Sequence, residues 1–468
     1  MKKHVLVVSD LHLADVEDNP DGWKYYKSSR YLFDEEFAAL LKRFLDRAGS
    51  AERLLVLNGD IFDFDLVTVV PEDPPWPVSR SERRRGLDPE EAKSAWKLQR
   101  MLDDHPRFLD ALAGFVAAGG RLVYVLGNHD REFYFPAVQQ VLRRALDERL
   151  RRRGGGLGDA DLVFEPWFFR LPGLLHAEHG QQYDSYTAFR DVLLPLVTVR
   201  GRQLLALPMG NLSNRYLMTR MGFFNPHASD YIHGVWGYFR HWLRHYAFSR
   251  RSLLFVWFWG SLVVLGRLLR RRRWRRRQMP DLEELLAEQS RRYRLERETV
   301  NRLYRLQDRP VGGKLYQVMR EFWIDRVLLA LLMTGGTVTL ALVPIPLWIK
   351  LTVPLMGFPL VYFIYERLAL GRTIFDFESR LPRVAGRIAE LTGVPVVSFG
   401  HTHNSRLVPL GPGRSFVDTG TWAPLTDDQG RLRPGLRNWL WLEQDGERLQ
   451  LRLDCAGGGR EGQGEDGQ

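Results

Sequence analysis

The chain has 468 residues, 45% hydrophobic and 26% charged, a composition that buries a core and excludes a disordered protein. Its net charge of +11 points to an acidic or anionic partner. The single cysteine, Cys455, excludes an intrachain disulfide and fits a reducing compartment.

The opening MKKHVLVVSD meets Asp10 too early for a signal peptide, so Val5 to Val8 read as a buried strand. From residue 1 to about 185, β-type and helical patterns alternate. VLVV (5–8), RLLVL (53–57) and RLVYVL (121–126) are short, apolar and β-rich, the mark of strands buried on both faces. DEEFAALLKRFLDRAG (34–49) reads as a helix between them. Such alternation predicts an α/β layered domain. Each of the three strands runs into a polar motif, which places the motifs on loops at strand carboxyl ends, gathered by one sheet edge.

Residues from about 190 to 380 differ. They are rich in Arg, Trp, Tyr and Phe and hold two apolar stretches. The first, 253–269, precedes the basic run Arg270 to Arg277. Such a run suits a solvated linker, nucleic acid or an anionic membrane surface; the adjoining apolar segment favours the membrane. The second, 327–365, is broken near PIPLWIK by Pro344, Pro346 and Lys350, and is long enough for a helical hairpin. Tryptophans 236, 242, 257, 259, 323 and 348 lie where interfacial anchors belong. The charged stretch 281–309 is expected to be helical and to face solvent. The blander alternative makes both apolar stretches core helices of a soluble domain. Strand patterning returns with VPVVSF (394–399), RLVPL, SFVD and NWLWLEQ, read as the rest of the sheet, and the polar tail from about 456 is expected to be disordered.

Five motifs carry chemistry: SDLHL with Asp10 and His12, GDIFD with Asp60, GNHD with Asn128 and His129, HG with His179, and GHTH with His401 and His403. Singly each is a turn or a hydrogen-bonded histidine. Together, after successive strands, they offer oxygen and imidazole donors without thiolate, a set suited to Mn, Fe, Zn, Ni or Mg. Nearby residues stay open between roles. Asp130 orients His129 or caps a turn. Asp63 and Asp65 favour capping over metal binding. Arg131 suits phosphate or a surface ion pair, and Tyr25, Tyr26 and Arg30 suit substrate or packing. His227, His233, His241 and His245 of the insertion read as surface or headgroup-facing rather than as a third metal site.

The order D-x-H, G-D, G-N-H-D, H, G-H-x-H resembles the signature of the calcineurin-like metallophosphoesterases, over residues 4–184 and 394–422, and VDTGTW (417–422) resembles the family's closing segment. The resemblance implies a four-layer αββα sandwich and two divalent metal ions, Mn favoured. It implies one ion on Asp10, His12 and His403, the other on Asn128, His179 and His401, with Asp60 bridging and His129 beside the substrate phosphate. Within the family SDLHL, GDIFD and the HGxxxD pattern at His179 and Asp184 are similar to the UDP-2,3-diacylglucosamine pyrophosphatase branch. His129 stands where that branch carries arginine, and Gln181 where it carries aspartate.

The expected organisation is a phosphoesterase domain in two parts, 1–188 and 386–455, a helical membrane-associated insertion at 189–385, and the tail 456–468. Because the insertion falls between His179 and His401, any membrane is crossed an even number of times. A hairpin within 327–365, with 253–269 flat at the interface, satisfies this. The expected substrate is a phosphoester, lipid-linked or nucleotide-lipid, met at a membrane with anionic lipids from a cytoplasmic catalytic domain; nucleic acid is disfavoured. The rivals are a phosphodiesterase, nuclease or protein phosphatase on a soluble substrate, and a non-catalytic membrane-bound scaffold.

Overall fold

A computed structural model describes residues 2–20, 23–199, 201–222, 253–271, 281–368, 377–426 and 435–456, with short pieces at 239–240, 243 and 432–433. The four insertion histidines, Trp236, Trp242, most of the arginine run and nearly all of the tail lie outside these residues.

In chain order the strands are β1 (Lys3–Val8), β2 (Glu52–Asn58), β3 (Arg121–Val125), β4 (Leu162–Glu165), β5 (Phe168–Leu171), β6 (Leu175–Glu178), β7 (Leu196–Val199), β8 (Arg202–Leu205), β9 (Val396–Phe399), β10 (Ser405–Gly411), β11 (Arg414–Thr419), β12 (Leu425–Thr426), β13 (Leu432–Arg433), β14 (Asn438–Asp445) and β15 (Arg448–Cys455). They form two main sheets, as the αββα resemblance implies, rather than the one sheet that strand patterning alone suggests. One sheet runs β15-β14-β1-β2-β3-β4 and a second β10-β11-β9-β6-β5. β1, β2, β3 and β4 pair in parallel, and β9 lies parallel to both β6 and β11.

Side-chain alternation explains the layering. Val5 and Val7, Leu54 and Val56, and Val123 and Val125 turn inward to meet Ala177, Val396 and Val417 of the second sheet. Their neighbours Leu6, Val8, Leu55, Leu57 and Tyr124 turn outward into a second core with Phe37, Leu40, Phe44, Leu98, Leu112 and Leu142. That outer core belongs to the helices Asp34–Ala48, Glu91–Asp104, Pro106–Ala117 and Pro136–Arg151. A period of two thus serves two buried faces at once, which is why these strands read as continuous apolar runs.

The outer face of the second sheet is covered by the helix Leu381–Thr392 and, against expectation, by the charged stretch. Helices Leu282–Tyr293 and Arg297–Arg305 bury Leu286, Tyr293, Val300 and Leu303 on Phe168, Ile388 and Phe399. The Tyr293 hydroxyl donates to Phe168 O, and Arg292 pairs with Glu165 at 2.7 Å. Charge spread over three sides of each helix hid a narrow apolar stripe on the fourth.

The helix Leu253–Arg271 buries Gly260, Ser261, Val264 and Leu268 while Phe255, Phe258 and Trp259 stay exposed. Its Arg267 stacks over Tyr216 and pairs with Asp88. Two further helices, Ile324–Leu342 and the continuous Leu347–Leu368, are long and apolar enough to cross a membrane. Pro354 and Pro359 lack the amide hydrogen an α-helix needs, and a π-helical turn spans Val353–Gly357 within the second of them. The two helices bury almost nothing inside the protein: Leu332, Leu342, Leu347, Leu355 and Leu368 are all 69–82% exposed. At their base Arg326 donates two hydrogen bonds to the Glu366 carboxylate, at 2.6 and 2.9 Å.

Candidate metal centre

The motif loops leave β1, β2 and β3 of the first sheet and β6 and β9 of the second, so the site lies where two sheet edges meet. Backbone bonds knit the loops in pairs. Asp10 N donates to Gly59 O and His12 N to Asp60 O, at 3.1 and 2.9 Å; Gly400 N donates to His179 O at 2.9 Å. Asp10 is then tied across the sheets. Its carboxylate accepts from His401 N, and its carbonyl accepts from Trp422 N and the Thr421 hydroxyl. The VDTGTW segment therefore acts as a brace for the first motif.

Asp10, His12, Asp60, His401 and His403 all adopt positive φ, between 49° and 72°. A non-glycine residue held there costs about 1 kcal/mol or more, a strain that concentrates where function demands a fixed side-chain direction. No propensity in the sequence signals it.

The side chains converge. His403 Nε2 lies 3.4 Å from Asp10 Oδ1 and 3.0 Å from His12 Nε2. His179 Nε2 lies 3.0 Å from Asp60 Oδ2 and 4.0 Å from Asp10 Oδ1. Asp10, His12 and His403 form one group able to hold a metal ion, and Asp60, His179 and His401 a second. Asn128 is buried, with its Oδ1 accepting no hydrogen bond from any described residue, and the amide of the next residue, His129 N, donates to Asp60 Oδ1 at 2.7 Å. Two more such groups share His129: one with His12 and Asp60, one with Asp63 and Asp65.

The outer contacts fix which atom of each histidine faces inward. His179 Nδ1 donates to Asn58 O at 2.9 Å, which leaves Nε2 as the nitrogen facing the centre. His12 Nδ1 faces Asp63 Oδ2 at 3.3 Å, leaving Nε2 for the centre. His401 Nε2 is held by the Thr187 hydroxyl at 3.0 Å and Asp184 Oδ2 at 3.3 Å, leaving Nδ1. Imidazoles oriented by a carboxylate or carbonyl on the far nitrogen are characteristic of metal sites. With inward-facing imidazole nitrogens, two carboxylates and the Asn128 oxygen that no described residue bonds, the residues fit two divalent cations.

The electrostatics are those of a dense carboxylate–imidazole cluster. Burial opposes ionisation of Asp10, but His179, His12 and His403 outweigh it and hold the carboxyl well below its ordinary range. Burial likewise opposes protonation of His179, and Asp60 and Asp10 reverse this, raising it to about 9. His129 is raised well above its ordinary value; burial again opposes, and Asp63 at 3.0 Å and Asp60 dominate.

The open alternatives resolve. Asp130 accepts from Gly127 N, Ile61 N and the Tyr124 hydroxyl, so it clamps loops, and Asp63 faces the His129 ring instead. Asp63 both caps, accepting from Asp65 N and Leu66 N, and contacts the histidines. Arg131 is not at the surface: it is fully buried, bonded to Val192 O and stacked on Phe189. Tyr26 walls a small cavity beside His12 together with Lys27, Ser28 and Tyr31, while Arg30 is exposed. Sequence reasoning missed Thr187 and Asn211, neither of which stands in a motif, and gave Asp184 no role.

Residues 3–207 match the family model described as calcineurin-like phosphoesterase. No curated protein matches the chain. That match, with an Asp/His cluster at the strand ends, supports a metal-dependent phosphoester hydrolase.

Proposed function

We propose that this chain, on the strength of its calcineurin-like phosphoesterase domain, uses two divalent metal ions to hydrolyse a phosphodiester or pyrophosphate bond in a lipid-linked or nucleotide-lipid substrate at a membrane surface. The observation that carries the reading is the meeting of Asp10, His12 and His403 with Asp60, His179 and His401 across two sheets. One ion would be held by Asp10, His12 and His403, the other by Asn128, His179 and His401, with Asp60 between them. When bound, such a pair lowers the pKa of water and offsets charge on the phosphoryl oxygens. Asp60, its backbone strained and its carboxylate accepting from His129 N at 2.7 Å, is pre-set for a shared position. His129, kept protonated by Asp63, is placed to stabilise phosphoryl charge or to give its proton to the leaving oxygen.

The membrane part rests on the exposed hairpin. At 1.5 Å per residue its helices measure about 28 and 33 Å, against a hydrocarbon core of about 30 Å. Two crossings return the chain to the same side, as a site divided between His179 and His401 requires. Arg320, Arg326 and Arg367 flank the base and Lys350 alone lies near the tip, which favours a cytoplasmic catalytic domain. The same charge and the Leu253–Arg271 helix suit anionic lipid. SDLHL, GDIFD and HGxxxD keep substrates like those of the UDP-2,3-diacylglucosamine pyrophosphatases foremost.

A metal-dependent hydrolysis screen tests this. Bis-p-nitrophenyl phosphate and a lipid pyrophosphate in micelles are compared, with and without Mn²⁺, alongside His129→Ala. Preference for the micellar substrate and a 10²–10⁴-fold fall in kcat for His129→Ala, with Mn²⁺ binding retained, are expected. Equal activity without metal removes the reading; preference for a soluble diester removes its lipid part alone.

A further inference from the structure

Asn128 can serve as a metal ligand only if its amide oxygen, not its nitrogen, faces the centre. The five motifs contain nothing that decides this. The helix Met209–Tyr216, which follows residue 207 where the family match ends, supplies a residue that does.

Asn211 is 1% exposed and makes three contacts. Its Nδ2 donates to Asp65 Oδ2 at 2.7 Å and to Asn128 O at 3.0 Å; its Oδ1 accepts from Asn128 Nδ2 at 3.4 Å. The order of these bonds is forced. A carboxylate and a backbone carbonyl only accept, so both hydrogens of the Asn211 amide are spent on them. The remaining end of Asn211 is an acceptor, and only the NH2 end of Asn128 can meet it. Asn128 Oδ1 is thereby turned away from Asn211, to a position where it is buried with no hydrogen-bond donor among the described residues.

We propose that Asn211 is a positioning residue for the second metal ion: through Asp65 and Asn128 it fixes the amide orientation that makes Asn128 a ligand. The segment between the two halves of the phosphoesterase domain thus completes the metal centre as well as interrupting it. This rests on the dinuclear reading above.

The test is Mn²⁺ titration calorimetry on the full chain, with Asn211→Leu, Asn211→Asp, Asn128→Ala and the double variant Asn128→Ala/Asn211→Leu, each with a thermal melt. The wild type is expected to bind two ions. Both Asn211 variants are expected to keep the first site and to weaken the second 10–100-fold. The double variant is expected to bind no more weakly than Asn128→Ala, because Asn211 acts only through that amide. A wild type that binds no metal ends the dinuclear reading itself. Two unaltered sites in the Asn211 variants, equal weakening of both sites, additive losses in the double variant, or loss of the fold in both single variants would each overturn the assignment and leave the dinuclear reading standing.

Discussion

Gly59 separates the backbone cost of its loop from the job the loop does. It has φ +83°, and a Cβ built there would lie 2.5 Å from Cγ and Nδ1 of the His179 imidazole. Carbon atoms pack comfortably at about 3.5 Å, so the ring of Gly59→Ala must retreat by about 1 Å. That retreat breaks the 2.9 Å bond from His179 Nδ1 to Asn58 O and carries Nε2 away from Asp60. Gly393 is the control. It also has positive φ, at 66°, yet a Cβ there meets nothing within 4 Å. Both alanines bear a left-handed backbone, at about 1–2 kcal/mol; Gly59→Ala alone moves a ligand. A displacement of about 1 Å in a reacting geometry costs on the order of 10²-fold. Measured as Mn²⁺-dependent kcat/KM on bis-p-nitrophenyl phosphate, Gly59→Ala should lose about 10²-fold and Gly393→Ala less than twofold, though both melt earlier. Equal activity in the two variants would refute the reasoning.

Three other outcomes are expected. Leu303→Ala, in a helix that buries its apolar stripe on the second sheet, should cost about 2–5 kcal/mol in urea unfolding; a change under about 0.5 kcal/mol would return that helix to solvent. Glu165, raised to about 7 by burial that outweighs its pairing with the partly exposed Arg292, gives a pH signature. A carboxyl raised from 4.5 contributes its full share of stability below pH 4.5 and loses it as pH rises through 7, a swing of up to about 3 kcal/mol. Glu165→Gln should therefore gain stability relative to wild type between pH 5 and pH 8 in parallel melts, and a pH-independent difference would contradict this. Leu332→Asp places a charge on an exposed face midway along the first hairpin helix, at about 3 kcal/mol for a bilayer centre; the protein should shift from membrane pellet to supernatant, and an unchanged pellet fraction would argue against a lipid-facing hairpin.

How much of this was legible in the sequence depends on the kind of physics involved. The strands and the helix at 34–48 were readable because local pattern and tertiary burial agree there. That Asp10, His12, Asp60, His179, His401 and His403 come together was legible from their order, which resembles a family signature, something periodicity alone never supplies. The second sheet came from the family resemblance and not from the strand pattern, since nothing in VPVVSF distinguishes pairing with HAE of β6 from pairing with β1. The 282–305 helices were misjudged because four buried side chains among many charges decide their packing. The surface alternative for Arg131 failed because a buried guanidinium held by a carbonyl and an aromatic face looks, in sequence, like any exposed arginine. Asn211 was invisible because its meaning lies in three hydrogen bonds to residues 83 or more positions away.

The convergence of five motifs on a pair of cations is tested most directly by anomalous diffraction from Mn²⁺-soaked crystals of the full chain. Two peaks about 3.5–4 Å apart, flanking the Asp60 carboxylate with Asn128 Oδ1 turned toward one of them, are expected. A single peak, peaks away from Asp10 and Asp60, or none at saturating Mn²⁺ would contradict it.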